Sequence, residues 1–168
     1  MHSVMQRANT LGTFFGTVAA VLCVLTSMTD LLHRADPKVE ISLAEVKRLS
    51  TYKGSKDQAL ITFNLDADLR SAFSWNTKQL FVYLQAEYVT PMNSMNHVVL
   101  WDSILQEKDK AVIKVKRHKT KYPFLDQGRG LRGADLNLTL VWNVMPRVGY
   151  MYSRSKTVNA GRLPESYT

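Results

Sequence analysis

Cysteine occurs once in the 168 residues, and that scarcity excludes an intrachain disulfide framework and any zinc site built from several cysteines. Patterns that carry catalysis are equally thin. His33, His97 and His118 lie in different segments with no HExxH, CxxC or carboxylate cluster beside them, so neither a metal nor a cofactor is expected. No Ser, Lys or His pair has the spacing of a catalytic dyad. Asp66 and Asp68 stand two apart on the polar side of an alternating segment, where a solvated pair is expected rather than a general acid and base. Gly128, Gly130 and Gly133, in GRGLRG, lack the spacing and the Lys-Ser/Thr ending of a phosphate loop and read as a structural turn. Apolar residues make up 45% of the chain and charged residues 21%, which is material for one ordinary buried core and excludes a disordered chain.

Charge is missing altogether from one stretch. Ala8 to Thr29 is a run of 22 residues without Asp, Glu, Lys, Arg or His. As a helix it would be about 33 Å long, close to the roughly 30 Å of bilayer hydrocarbon. Its centre, TVAAVLCVL, has no polar face for a soluble surface helix. A buried core helix and a cleaved signal peptide compete with a retained signal anchor. The run is longer than an ordinary signal-peptide core and has no A-x-A cleavage site, which favours the anchor. Arg7 and the α-amino group precede it with a charge of about +2, whereas Asp30, Arg34, Asp36 and Lys38 cancel after it. The positive-inside rule then keeps residues 1–7 as a short cytosolic tail, makes 8–29 the transmembrane anchor and sends 30–168 across the membrane. Within the span Gly12, Gly16, Ala19 and Cys23 form a small-residue stripe suited to packing against another helix.

The body, residues 30–168, reads as strand. Val39–Leu49 alternates at first and loses its phase near Ala44 and Glu45, and a loop over Tyr52–Asp57 turns at Gly54. Ala59–Leu69 alternates cleanly, with Ile61, Phe63, Leu65, Ala67 and Leu69 on one side and Thr62, Asn64, Asp66 and Asp68 on the other. Gln79–Thr90 carries Leu80, Val82, Leu84 and Ala86 on one side and bulky Phe81 and Tyr83 on the other, so it is expected to be central and covered on both faces for part of its length. Pro91 ends it. Val98–Leu105, Ala111–Lys116 and Leu136–Val144 follow, and the polar tail after Tyr152 is expected to lie along the surface. Six or seven such strands with almost no helical period predict an all-β fold, a β-sandwich or a related open barrel, preceded by one membrane helix.

Two surface features remain. Asn137-Leu138-Thr139 is the one N-x-S/T sequon, and the alternation that turns Leu136 and Leu138 inward turns Asn137 outward as a glycosylation acceptor. The chain carries 22 Lys plus Arg against 14 Asp plus Glu, a formal +8, and its densest basic field runs from Lys108 to Lys121. Lys114, Lys116, Arg117, Lys119 and Lys121 would suit nucleic acid, anionic headgroups or an acidic partner. A membrane-translocated domain meets no nucleic acid, which leaves membrane lipid or protein. Lysines that keep an edge strand from pairing are the alternative.

Residues along nearly the whole chain carry a resemblance. Arg7-Ala8-Asn9, Ile61-Thr62-Phe63, Ala67-Asp68-Leu69, Phe73, Trp75-Asn76 and Lys78-Gln79-Leu80-Phe81 come first. Tyr83-Leu84, Ala86-Glu87-Tyr88, Asn96, Val98-Val99-Leu100-Trp101-Asp102, Lys119-Thr120-Lys121-Tyr122 and Gly130-Leu131 continue it, and Leu138-Thr139-Leu140 and Trp142-Asn143-Val144 complete it. In this order they resemble the subunit 3 family of the eukaryotic signal peptidase complex, its small glycosylated subunits. Beyond Tyr150 the likeness thins to Pro164 and Tyr167. The resemblance implies a single-pass type II protein of the endoplasmic reticulum membrane with a lumenal β-sandwich and a glycan at the position of Asn137. It also implies a non-catalytic subunit that assembles with a serine-protease catalytic subunit and smaller membrane subunits to remove signal sequences from secretory proteins. Scaffolding of the catalytic subunit is the expected role; an independent membrane-anchored lumenal binding module is the alternative.

Overall fold

An uncharged run that satisfies its own backbone can only be a helix in an apolar medium, and in the computed structural model, which describes residues 3–168, α1 spans Val4–Leu32. Ser3 caps it by accepting the Gln6 amide at 3.2 Å. The threonines at its entrance return their hydroxyls to the preceding turn, Thr13 to the Asn9 carbonyl at 2.9 Å and Thr17 to the Thr13 carbonyl at 3.0 Å, so they carry no unsatisfied donor into an apolar surrounding. The helix extends past the 8–29 run at both ends and buries none of its residues. It is long and apolar enough to cross a membrane, with a mean hydropathy of 1.9 over its most apolar window. Residues 1–2 of the expected tail lie outside the described residues.

The rest is two antiparallel sheets packed face to face. One contains β1 (Lys38–Tyr52), β2 (Lys56–Asp68) and β5 (Val112–Lys119) in that order, with the short β6 (Phe124–Leu125) also paired to β2. The other contains β3 (Thr77–Tyr88), β4 (Asn96–Leu105), β7 (Asp135–Pro146) and β8 (Tyr152–Arg162), in the order β4-β3-β7-β8. Alternation supplies the core between them: Ile61, Phe63, Leu65 and Ala67 of β2 meet Leu80, Val82, Leu84 and Ala86 of β3 and Leu136, Leu138 and Leu140 of β7, all buried. The chain is thus an all-β sandwich behind one apolar helix.

Local details follow the sequence signals. The β1–β2 hairpin has a three-residue loop between Tyr52 and Lys56 and turns on Lys53 and Gly54, both at positive φ, 48° and 72°, with the Ser55 amide bonded to the Tyr52 carbonyl at 3.3 Å. β1 loses its phase where two bulges interrupt its register with β2, between Leu43 and Glu45 and between Val46 and Arg48.

Two expectations are corrected. The tail after Tyr152 does not merely lie on the surface: it forms β8, pairs with β7 from Asp135↔Arg162 to Val144↔Tyr152, and buries Leu163. β3 is central, between β4 and β7, but among the described residues no third layer covers its outer face, where Phe81 and Tyr83 are half-buried and lean on each other at 5.6 Å between ring centres.

The strand directions divide the sandwich into two ends. The end that α1 enters holds the start of β1, the end of β2, the start of β3, the end of β7 and the start of β8. The opposite end holds the β1–β2 turn, the β3–β4 loop, the GRGLRG loop and the chain terminus.

Candidate functional site

A network of polar bonds joins α1 to the sandwich. One face of the last turns of α1, Thr26, Ser27 and Asp30, is half-buried together with the C-cap His33, while the rest of the helix is exposed almost throughout. An aspartate there is unfavourable twice over, since its charge opposes the helix dipole and lies near apolar surroundings. Two donors offset this: Ser74 Oγ donates to Asp30 Oδ1 at 2.9 Å and Asn76 Nδ2 to Asp30 Oδ2 at 2.6 Å. Asn76 is only 1% exposed and clamps a second loop, donating to the Val148 carbonyl at 2.7 Å and accepting the Val148 amide at 3.1 Å. His33 Nε2 lies 2.8 Å from the Ser71 carbonyl and fixes the segment after the helix.

Gly149 completes the contact. At φ 118° it occupies a conformation open mainly to glycine, and a Cβ there would come within 2.8 Å of Ser27 Oγ. The 147–151 loop therefore rests directly on α1. Beside it, Ser27, Asp30, His33, Tyr150, Tyr152 and Arg154 line a cleft of about 300 Å³. Burial first, and the nearby Asp30 charge second, push the Tyr152 hydroxyl above its ordinary range. Sequence reasoning counted Asp30 only as a flanking charge. Its partners stand 44 and 46 residues away, so no local pattern announces them.

At the far end two buried carboxylates organise the loops. Asp126 accepts the Tyr88 hydroxyl at 2.9 Å and the amides of Gly128 and Gly130 at 3.2 and 2.9 Å. Asp57 accepts the Leu131 amide at 3.2 Å and the Tyr167 hydroxyl at 2.9 Å, which ties down the chain end. Burial, then the bond and charge of Asp126, hold the Tyr88 hydroxyl well above its usual range. Gly128 and Gly130 thus serve a turn around Asp126, and a Cβ on Gly130 would collide with Thr90 Cγ2.

The residues singled out from sequence fall in three separate places. Asn137 lies on the outer face of β7, half-buried, opposite Glu87 on one side and Asn159 on the other, toward the end away from α1. Thr139 of the same sequon is 3% exposed and shares a 2.9 Å hydroxyl contact with Thr157.

Lys114, Lys116, Arg117 and Lys119 lie on β5, the free edge of its sheet, and Lys121 just beyond. Two of the five are paired, Lys114 with Asp66 at 3.3 Å and Lys121 with Asp102 at 2.7 Å. Hydrogen bonds from Lys121 and then Tyr122 hold the Asp102 carboxyl below its usual range. Arg117 sits at φ 49° in a bulge, its amide bonded to Asn64 Oδ1 at 2.9 Å.

Gly12, Gly16 and Cys23 are exposed and Ala19 half-buried, with nothing within 4 Å of a Cβ at either glycine. At 100° per residue this stripe shares the helix side of Thr26, Ser27 and Asp30, the side on which the sandwich sits. The histidines stay apart: His97 faces Gln85 and Glu87, while His118 packs edge-on against Phe63. Among the described residues no three His, Cys, Asp or Glu side chains group closely enough to hold a metal.

Comparison with known proteins supplies a family. A family profile described as "Signal peptidase subunit" matches residues 1–166. Signal peptidase complex subunit 3 of Dictyostelium discoideum is 38% identical over 167 residues, covering 99% of this chain and 97% of that protein. The Homo sapiens protein of the same name is 41% identical over 159 residues, covering 90% of this chain and 87% of its own length. A Mus musculus protein named Adipocyte-related X-chromosome expressed sequence 1 is 39% identical over 179 aligned positions, covering 99% and 97%.

Proposed function

Because this chain belongs to the family of signal peptidase subunits, we propose that it is a non-catalytic subunit of a signal peptidase complex in the endoplasmic reticulum membrane, scaffolding the catalytic subunit. The joint is the observation that carries this reading. A domain on a loose tether would sweep a wide volume, whereas Asp30, Ser74, Asn76 and Val148 fix the sandwich at one height and orientation over the helix. A partner docked on the sandwich would then be held at a set distance from the bilayer, and positioning of that kind is worth orders of magnitude in rate when the reacting bond emerges from a membrane.

The sandwich lies in the lumen in this reading, with α1 as a type II signal anchor and a glycan on Asn137. The Gly12, Gly16, Ala19 and Cys23 stripe receives a spanning helix of a neighbouring subunit, which its phase places under the sandwich. The Lys119 end of the basic field meets an acidic protein surface rather than lipid. Lys119 is seven residues along β5 from the membrane-side end, about 23 Å away, beyond two Debye lengths at physiological salt.

Tagged full-length chain purified in mild detergent should bring down the catalytic subunit, and its depletion should lower precursor cleavage. In sealed microsomes the sandwich should resist added protease, and glycosidase should reduce its mass. Purification without a catalytic subunit would refute the scaffold role. A protease-sensitive, unglycosylated sandwich would refute the lumenal topology.

A further inference from the structure

Three bulky side chains stand exposed at the end of the sandwich that α1 enters: Trp75 at 69%, Tyr150 at 68% and Met151 at 63%. The other tryptophans are placed differently, Trp142 buried in the core and Trp101 edge-on against Phe63. Scattered apolar side chains need no explanation, but these share one tip. Trp75 precedes Asn76, and Asn76 holds Val148 of the loop that carries Tyr150 and Met151.

The level of this tip along α1 follows from Gly149, whose backbone rests against Ser27. Ser27 is two residues inside the end of the uncharged run, roughly 3 Å by helical rise. Tyr150 and Met151 follow Gly149 within about 7 Å of extended chain. The headgroup layer on each side of a bilayer is about 5–7 Å thick. The tip therefore lies at the depth where amphipathic aromatic rings settle, one end apolar and the other wet.

We propose that Trp75, Tyr150 and Met151 form a lipid-interface anchor, seated in the headgroup layer of the leaflet from which the sandwich emerges. The inference rests on the reading of α1 as a membrane span. Its occupant is a bilayer surface rather than a protein, because the tip adjoins the last turn of α1, where Leu31 is 72% exposed and lines the same cleft as Tyr150. Arg147 and Arg154, both exposed, border it and suit phosphate oxygens. With the joint it makes a second point of attachment, and two points fix a tilt that one helix leaves free.

The test uses full-length chain carrying Cys23→Ser, reconstituted in phosphatidylcholine vesicles and spin-labelled singly at Met151→Cys, Val21→Cys or Met92→Cys. Met92 is 90% exposed at the far end and serves as the aqueous reference. Collision of each nitroxide with oxygen, relative to a water-soluble nickel chelate, reads depth. The ratio should be highest at 21, severalfold above the reference at 151, and lowest at 92.

A 151 label as water-exposed as the 92 label, with the 21 label in hydrocarbon, overturns the anchor and leaves the span standing. A water-exposed 21 label overturns both. In the assembled complex, a 151 label shielded from oxygen and nickel alike would mean that a protein covers the tip, and that too overturns the proposal. As an independent arm, brominated acyl chains should quench tryptophan emission in the unlabelled chain, and Trp75→Phe should abolish most of that quenching; equal quenching in both refutes the assignment.

Discussion

Asn76→Ala should cost the sandwich about 3–5 kcal/mol, a large part of the roughly 5–15 kcal/mol that holds an ordinary domain. The side chain is 1% exposed and makes three hydrogen bonds, at 2.6 Å to Asp30 and at 2.7 and 3.1 Å to the carbonyl and amide of Val148. A buried group stranded by loss of its partner costs about 1–3 kcal/mol. Three are stranded here, but Val148 lies on a loop that can rehydrate and Asp30 keeps Ser74, so only about 1–1.7 kcal/mol applies to each. For a body of 139 residues, about 1 kcal/mol moves the midpoint by about 3–5 °C, and the melting temperature should fall by about 10–20 °C. The measurement is a thermal melt of the full chain in detergent, followed by the circular dichroism of the strands. Asn76→Asp keeps the acceptor for the Val148 amide but loses both donated bonds and sets a second carboxylate against Asp30, so it should be at least as damaging. Exposed Lys78→Ala, two residues away, should change stability by no more than about 0.5 kcal/mol. A melt of Asn76→Ala within about 3 °C of the parent would refute the joint as a stabilising bond network.

Gly130→Ala drives a methyl into the Thr90 side chain and should destabilise by about 1–3 kcal/mol in chemical denaturation, with partial recovery in the Thr90→Ser background. Tyr88→Phe strands Asp126 Oδ1 at a cost of about 1–3 kcal/mol. Because the folded pKa of Tyr88 lies above that of the unfolded chain, its contribution is fully present below about pH 10 and declines as pH rises toward the folded value. Alkaline melts of Tyr88→Phe should therefore fall less steeply above that pH than those of the parent. The Arg70 hydrogen bonds hold Asp68 at about 2, so its stabilising share is present above about pH 4 and is lost as pH falls toward that value. Arg70→Ala should raise the Asp68 carboxyl toward the ordinary range in an NMR titration, without restoring it fully because the residue-70 amide still donates to Asp68 Oδ1. Thr139 engages Thr157 only once β8 has paired with β7, so the sequon should be modified before that pairing. Unglycosylated chain, once folded, should accept glycan poorly in microsomes, and efficient modification of the folded form would refute this order.

The strands that the sequence announces are those with one wet and one dry face. Ala59–Leu69 and Leu136–Val144 alternate because each is internal to a sheet with one side on the core. β8 was invisible for the converse reason: as an edge strand it packs only Tyr152, Val158 and Ala160 against the core, and its place is decided by main-chain bonds to β7. The lost phase of β1 was a true signal of two bulges. The sequon and the basic edge were legible because each is local. The joint was not, since its polar partners come from residues 30, 74, 76 and 148, and a hydrogen bond between distant segments leaves no periodicity behind.

The two ends of the sandwich are built from opposite materials, and that difference bears on how the domain is held. At the end that α1 enters a short polar network surrounds Asp30, and bulky exposed side chains stand around it. At the far side Asp57 and Asp126 bind loops and terminus together without reference to the helix. Asn137 lies nine residues of β7 from Pro146, about 30 Å from the end that α1 enters, and Lys119 lies about 23 Å along β5 from the same end. A glycan on Asn137 would therefore leave the joint unobstructed, and partner binding at the basic edge would act on the bilayer only through the rigidity of the sandwich. That rigidity has a structural source: β3 and β7 run unbroken between the two ends, joined in register from Leu80↔Val144 to Tyr88↔Leu136. A displacement at the far loops must move the joint as one body or break that ladder, which makes the clamp at Asn76 the place where any force from a docked partner is borne.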